Sequence, residues 1–191
     1  MMISVHVEPT VAPNAPPAQW HDRLRDGTHV LIRQIRGDDA LLERAFIEGL
    51  SPTARRYRFL GEVKVPSAAL IEQLTHPDPE RDVAFIALIA DGADKREIGV
   101  ARFCARPDGQ ACECAVVVAD AWQQRGLATL LMRHLIDVAR ARGIACMYSV
   151  DAADNAPMRE LAAHLGFGRK PDPEDATQVL HTLDLGAPTA G

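Results

Sequence analysis

The sequence predicts an α/β fold with a sheet of mixed direction. Three apolar runs of strand length follow one another in the middle of the chain, and an Asp-Gly centre between the last two is typical of a β-hairpin. Strand and helix patterns then alternate up to about residue 183. An antiparallel meander followed by strand, helix, strand, helix and strand indicates a mixed α/β sheet.

Composition places the chain among ordinary globular domains. Its 191 residues are 47% hydrophobic and 25% charged, which excludes collagen-like and wholly disordered chains. The net charge of −5 disfavours nucleic acid as a partner, because phosphate contacts need clustered cations. No segment has the ~20 consecutive apolar residues of a membrane span. The N-terminus also lacks the pattern of a signal peptide, so we expect a cytoplasmic protein without a membrane partner.

Prolines separate an arm from a domain. Residues 1–27 contain four prolines among alanines and predict a flexible arm, with Trp20 as a docking point. One domain is expected over residues 28–185, followed by a short tail over residues 186–191.

The first part of the domain has one strand pattern and three helix patterns. Residues 28–33 have strand composition, and Gly37–Asp39 precede a helix with apolar residues at helical spacing up to Leu50. Ser51, followed by proline, is typical of a helix N-cap, and Ser67, preceded by proline, starts a further helix.

The three apolar runs predict adjacent strands. They cover residues 83–90, 98–104 and 112–119. If Asp108-Gly109 forms a two-residue hairpin loop, Cys104 lies opposite Glu113 and Arg102 lies opposite Ala115. These side chains then share one face of the sheet.

The clearest helix pattern covers Gly126–Arg142. Leucines and Val138 form one apolar stripe along it, and Gly143 ends it. A strand, a helix and a strand are then predicted over residues 144–150, 154–166 and 179–183.

The turn before this helix is a candidate anion site. A buried strand ends, a short polar turn follows, and the first N–H groups of a helix have no internal partner and carry partial positive charge. Gly126 and Ala128 leave room for a phosphate, and Arg125 could add a cation. The lysine of a P-loop and the glycines of a Rossmann turn are missing. An ordinary strand-turn-helix with small packing residues fits the same turn.

This segment resembles the GNAT acyl-CoA N-acyltransferases. Gln123-x-x-Gly126-x-Ala128 matches their [QR]-x-x-G-x-[GA] motif, and Asn155 with Gly166-Phe167 matches their second signature. The resemblance extends over about residues 28–185 in element order. It implies the GNAT fold, a mixed, mostly antiparallel sheet with helices on both faces, and acetyl-CoA as cosubstrate without a metal.

The resemblance also implies where the cosubstrate binds. Its pyrophosphate would lie on backbone amides of the turn, and its pantetheine arm would pair with the preceding strand if that strand splays from the next one. Asn155 would contact the arm or cap its own helix, and both are compatible. The implied binding residues are Val116, Val117, Val118, Gln123, Gln124, Arg125, Gly126, Leu127, Ala128, Thr129 and Asn155.

Glu113 is the candidate catalytic base. It is the only acid in its apolar strand, and we expect burial to raise its pKa towards neutrality. A structural ion pair with Arg102 or Arg106 is the alternative. Glu113-Cys114-Ala115-Val116-Val117-Val118 resembles the E-F-A-V-V-V stretch of bacterial GNAT protein lysine acetyltransferases, whose glutamate is the base.

Two positions depart from the family pattern. Many GNAT enzymes place a tyrosine acid where this chain has Ala162, and the subgroup usually has phenylalanine where this chain has Cys114. The resemblance implies acetyl transfer from acetyl-CoA to a protein lysine, with acyl-CoA synthetases as family precedent. The alternatives are a small-molecule amine acceptor and a non-catalytic acyl-CoA-binding sensor module.

The cysteines favour a structural role. All four lie in apolar, strand-like surroundings, as expected for buried thiols in a reducing cytosol. Cys112 and Cys114 could bind a metal, but no histidine pair or second cysteine pair completes such a site.

Overall fold

The computed structural model describes residues 19–60 and 65–186. Within them, eight strands form one sheet in the order β1-β2-β3-β4-β5-β6-β8-β7. The strands are β1 Gln19–Arg23, β2 His29–Gln34, β3 Asp82–Asp91, β4 Asp94–Ala105, β5 Ala111–Val118, β6 Cys146–Ala152, β7 Gly168–Pro171 and β8 Gln178–Asp184. The helices are α1 Ala40–Gly49, α2 Pro52–Phe59, α3 Ala68–Thr75, α4 Leu127–Ala141 and α5 Ala156–Leu165. Across these two ranges, we find no helix with the length and apolar character that a bilayer crossing requires.

The sheet is mixed, and helices cover both of its faces. Neighbouring strands are antiparallel except β5 and β6, which are parallel. One apolar cluster joins α4 and α5 to one face of the sheet, and a second joins α1, α2 and α3 to the other. We call these the α4 face and the α1 face. The predicted fold class is confirmed.

The predicted register of the β4–β5 hairpin is also confirmed. Cys104 pairs with Glu113, and Arg102 pairs with Ala115. Because side chains alternate between faces along a strand, Glu113 lies on the α1 face and Cys114 on the α4 face.

Part of the predicted arm is a strand instead. Residues 19–23 form β1, which pairs with β2 along its whole length. Trp20 docks as predicted, edge-on to Phe85 at 5.0 Å and stacked on His134 at 4.0 Å between ring centroids. The short polar segment lacks an apolar run, so only the free edge of β2 makes it a strand. The four-residue edge strand β7 was not predicted for the same reason. Residues 1–18 of the arm and 187–191 of the tail lie outside the described residues.

Serine N-caps begin α2 and α3, as predicted. The Ser51 hydroxyl accepts a hydrogen bond from the Ala54 N–H at 3.2 Å, and the Ser67 hydroxyl accepts one from the Leu70 N–H at 3.1 Å. Ser51 makes two further bonds. Its hydroxyl and its backbone N–H donate to the carboxylate of Asp120, at 2.7 and 2.9 Å. Asp120 therefore fastens the start of α2 to the loop that follows β5.

Ser51→Ala is expected to lower the free energy of unfolding by about 2 kcal/mol, because it removes an N-cap worth about 1 kcal/mol and a hydrogen bond to a charged group worth about as much at this exposed position. Ser67→Ala is the matched control and is expected to cost about 1 kcal/mol, since it removes an N-cap alone. Urea denaturation measures both. Equal losses would show that the contact with Asp120 adds no stability.

Candidate active site

The strands β5 and β6 separate part-way along their length. Their parallel ladder consists of the pairs Ala111–Cys146, Cys112–Met147 and Glu113–Tyr148. Beyond it, β5 remains paired with β4 and β6 with β8. The sheet is therefore split after Glu113, and the β5 edge from Cys114 to Val118 faces no strand on that side among the described residues. This is the splay on which pantetheine binding was predicted to depend.

The three valines at the end of β5 point to both faces. Val116 and Val118 pack on the α4 face, while Val117 packs on the α1 face. The side chains of these valines point away from the plane of the sheet and pack on its two faces. Their backbone N–H and C=O groups lie in that plane and point towards the neighbouring strands.

The turn between β5 and α4 leaves the helix N-terminus uncapped. Gly126 is the N-cap residue with φ +89°, a conformation that favours glycine, and no side chain caps the first turn. The helix begins at Leu127, one residue later than predicted. Gln124 is also left-handed, with φ +60°, and the Gln123 side-chain amide donates to the Val118 carbonyl at 3.2 Å. Leu127 is buried, whereas Ala128 and Thr129 are half-buried.

Two arginines lie at this helix N-terminus. The predicted one, Arg125, pairs with Asp26 at 2.7 Å, and its guanidinium lies over the Trp122 ring, 4.6 Å from the centroid. The other, Arg25, was not predicted. Its Nε lies 3.3 Å from where a Cβ on Gly126 would be, and its backbone N–H donates to the Arg125 carbonyl at 3.1 Å.

Arg25 reaches the turn from the β1–β2 hairpin, about one hundred residues away in sequence. The Asp26-Gly27 pair is itself a hairpin signal. This pair indicates a turn, but the flanking residues 19–23 lack the apolar run of a typical strand.

Glu113 lies in a row of side chains across the α1 face. The register places Asp82, Cys104, Glu113 and Tyr148 on four successive strands at the same level. Glu113 is exposed, so its predicted burial is wrong. The apolar cluster under α1 and α3 reaches Val100 and Val117 but not this end of the hairpin.

The predicted ion pair of Glu113 with Arg102 or Arg106 is not formed. Arg102 instead lies 3.5 Å from the carboxylate of Glu43, a buried residue of α1. Among the described residues, Glu113 takes part in no ion pair or hydrogen bond. Its carboxylate is free to bind a proton or a substrate.

Three cysteines, Cys104, Cys112 and Cys114, carry protonated thiols at neutral pH. Burial raises the pKa of Cys112 to about 12 and raises that of Cys114 as well. Hydrogen bonding to Asp82 raises the pKa of Cys104. Cys104 is exposed and Cys146 half-buried, so the expectation of burial holds only for Cys112 and Cys114. The described residues contain no group of three His, Cys, Asp or Glu side chains placed to hold a metal ion.

Comparison with known proteins identifies the family. Residues 53–167 match the model of the acetyltransferase (GNAT) family. The chain belongs to this family. It is 50% identical over 166 residues to acetyltransferase PA5475 of Pseudomonas aeruginosa, a match that covers 87% of this chain and 89% of the relative. The chain is therefore an N-acetyltransferase of the GNAT family, whose members use acetyl-CoA as cosubstrate.

Two solved structures share the fold of this chain. The GNAT domain of S. lividans PAT superposes with a TM-score of 0.78 at 28% identity, covering 87% of this chain and 96% of that domain. The cAMP-binding acyltransferase from Mycobacterium smegmatis gives a TM-score of 0.62 at 23% identity, covering 91% of this chain. The match spans 49% of that acyltransferase and supports the fold alone.

Two positions of the GNAT pattern belong to α5 and its N-cap. Asn155 is buried, and its side-chain oxygen accepts a hydrogen bond from the Met158 N–H at 3.2 Å, which caps α5. The capping interpretation is confirmed, whereas contact with the cosubstrate stays a prediction. Ala162 is 1% exposed within the apolar cluster of the α4 face, so this GNAT chain has no ionisable group there.

A cavity of about 480 Å³ opens where β6 ends. Arg56 and Asp154, two of its lining residues, form an ion pair at 2.8 Å. Its other lining residues are Leu60, Ala152, Ala153, Thr177 and Gln178. The segments 51–60 and 170–178 therefore both contribute to the wall of this cavity.

Proposed function

We propose that this chain transfers the acetyl group of acetyl-CoA to a protein lysine side chain, with Glu113 as the general base. The observation that carries the proposal is the split in the sheet. An uncapped helix N-terminus lies at its open end, and an unpaired carboxylate lies where the two strands meet.

The coenzyme would bind along the split. Backbone N–H groups from Gln124 to Thr129 would hold the pyrophosphate, with Arg125 and Arg25 as nearby cations. The arm would hydrogen-bond to the main chain of Val116 and Val118, as a β-strand does. Gln123 contributes by holding the end of β5 through the Val118 carbonyl.

The length of the pantetheine arm matches the distance along β5 from the α4 N-terminus to Glu113, which supports a thioester position beside Glu113. From Val118 back to Glu113, β5 extends over five residues, or about 17 Å at ~3.3 Å per residue. The pantetheine arm has about twelve bonds, the backbone length of about four extended residues, or ~14 Å. An arm that starts at the α4 N-terminus therefore ends near Glu113.

The chemistry requires a neutral amine. A lysine ammonium group with a pKa near ~10.4 must lose a proton before its nitrogen can attack the thioester carbonyl. Glu113 is exposed on the α1 face, where it can accept that proton directly or through one water molecule. Attack then forms the C–N bond, and collapse of the tetrahedral intermediate expels the coenzyme A sulfur.

The exposure of Glu113 supports a protein acceptor. Sites for small molecules bury most of the ligand surface, whereas this carboxylate is accessible to a side chain presented by another protein. Acyl-CoA synthetases are the first acceptors to test, on the precedent of the subgroup that the E-x-A-V-V-V stretch resembles.

A small amine is the second candidate acceptor. The cavity beside Asp154 has about 480 Å³, which lies within the ~300–1,000 Å³ usual for small-molecule sites. Such an amine would bind in the cavity with its nitrogen directed towards Glu113.

Incubation with radiolabelled acetyl-CoA tests the proposal. We expect label on lysine side chains of one or more acyl-CoA synthetases, located by mass spectrometry, and no label in a panel of polyamines, amino acids and aminoglycosides. Label in the amine panel alone would select the second candidate. If the chain binds coenzyme A but transfers acetyl to no acceptor, it is a non-catalytic acyl-CoA-binding sensor module. If calorimetry detects no binding at millimolar coenzyme A, both the acetyltransferase and the sensor module are contradicted.

A further inference from the structure

Tyr148 lies beside Glu113 at the point where β5 and β6 separate. The two residues form the last pair of the parallel ladder, and their side chains are on the same face of the sheet. Adjacent strands are about 4.8 Å apart, so the phenol and the carboxylate flank the position assigned to the thioester. Tyr148 is half-buried, and its hydroxyl has no hydrogen-bond partner among the described residues.

At the position where many GNAT enzymes have a tyrosine acid, this chain has a buried alanine that cannot donate a proton. Ala162 is packed in the apolar cluster of the α4 face. A thiolate is a fair leaving group, but its departure is faster when a positioned acid protonates it. In the row that contains Glu113, Tyr148 belongs to the last pair before the split, and its hydroxyl is a proton donor without a partner among the described residues.

We propose that Tyr148 is a catalytic residue that protonates the departing coenzyme A sulfur. This inference rests on the proposed function. Glu113 first passes the ammonium proton to water, which leaves a neutral amine and an ionised carboxylate. The neutral amine forms the C–N bond and gives a proton to Glu113, the C–S bond breaks with its electron pair on sulfur, and the Tyr148 hydroxyl gives its proton to that sulfur. Glu113 then returns the amine proton to the adjacent phenolate. Amine and acetyl-CoA become amide and coenzyme A, and both side chains are restored.

The surroundings of Tyr148 keep it protonated before the reaction. Burial raises the pKa of Tyr148, and the charge of Glu113 raises it further. Cys104 and Cys112 act in the same direction, whereas Arg106 opposes them. At neutral pH the phenol is therefore a proton donor, and it loses that ability only when the pH rises through its raised pKa.

The chain offers a clean test, because it contains two tyrosines, Tyr57 and Tyr148. The Tyr57 hydroxyl donates to the Asp154 carbonyl at 3.3 Å and is not in the row. In Tyr57→Phe, the phenolate absorbance on alkaline titration reports Tyr148 alone. We expect a midpoint above the usual ~10, and we expect Glu113→Gln in that background to lower it.

Tyr148→Phe is expected to lower kcat for acetyl transfer about 100-fold, without changing the affinity for coenzyme A. The rate of the unaltered chain should fall at alkaline pH as Tyr148 ionises, and this alkaline limb should disappear in Tyr148→Phe but remain in Tyr57→Phe. A Tyr148→Phe chain with unchanged kcat, or with reduced kcat but the same alkaline limb, overturns the inference. If the unaltered chain binds coenzyme A but transfers no acetyl group, the proposed function and the inference about Tyr148 both fail.

Discussion

Replacement of Glu113 by glutamine is expected to lower the rate of acetyl transfer about 10²- to 10⁴-fold, the usual contribution of a general base. Glutamine has the same shape but cannot accept the amine proton. Because Glu113 is exposed and makes no ion pair or hydrogen bond to other described residues, the free energy of unfolding should change by less than about 0.5 kcal/mol. Steady-state kinetics and calorimetry with coenzyme A separate catalysis from binding.

Glu80→Gln is the control for this change. Glu80 is an exposed glutamate in the segment between α3 and β3, away from the split. Its replacement removes the same charge from the chain and should leave both kcat and coenzyme affinity unaltered. Transfer by the Glu113→Gln chain at the unaltered rate would show that Glu113 is not the base.

Gly126→Glu is expected to weaken coenzyme A binding about 100-fold or more. A carboxylate would stand at the helix N-terminus to which we assign the pyrophosphate, and two like charges ~4 Å apart repel by about 4 kcal/mol at an effective dielectric constant of 20. The new side chain would also meet Arg25, whose Nε lies 3.3 Å from the Cβ position, and would neutralise that cation. Calorimetry with coenzyme A measures the loss.

Strain must be separated from charge in this experiment. Gly126 has φ +89°, where a residue with a Cβ costs about 1–2 kcal/mol. Gly92→Glu is the matched control, because Gly92 has φ +65° and no atom within 4 Å of its Cβ position, in the turn between β3 and β4. Both variants should lose similar stability on urea denaturation, and only Gly126→Glu should lose coenzyme affinity. If both variants bind coenzyme A with equal affinity, the pyrophosphate does not bind at this turn.

The sequence predicts the parts of the fold that are specified locally. The Asp108-Gly109 turn sets the register of the β4–β5 hairpin, and serine caps with flanking prolines mark the starts of α2 and α3. The edge strands β1 and β7 were missed, because a short polar segment becomes a strand only when another strand offers it a partner. No local pattern carries that information.

In the candidate site, too, the residues specified by local sequence are predictable and those placed by tertiary contacts are not. The turn from Gln123 to Thr129 is continuous in sequence and could be predicted whole. The exposure of Glu113 could not, because it depends on how far the helices of the α1 face extend over the sheet. Tyr148 and Arg25 enter the site through strand pairing and through a distant hairpin. Both are tertiary features.

The split in the sheet has a consequence for turnover. Its backbone groups would contact the phosphates and the arm of the cosubstrate, which acetyl-CoA and the product coenzyme A have in common. Contacts of equal strength to reactant and product add affinity but do not accelerate the reaction. Because the split would hold coenzyme A as firmly as acetyl-CoA, we expect inhibition by the product and slow product release. Discrimination between the two molecules falls on the few atoms around the acetyl group, beside the paired residues at which β5 and β6 part.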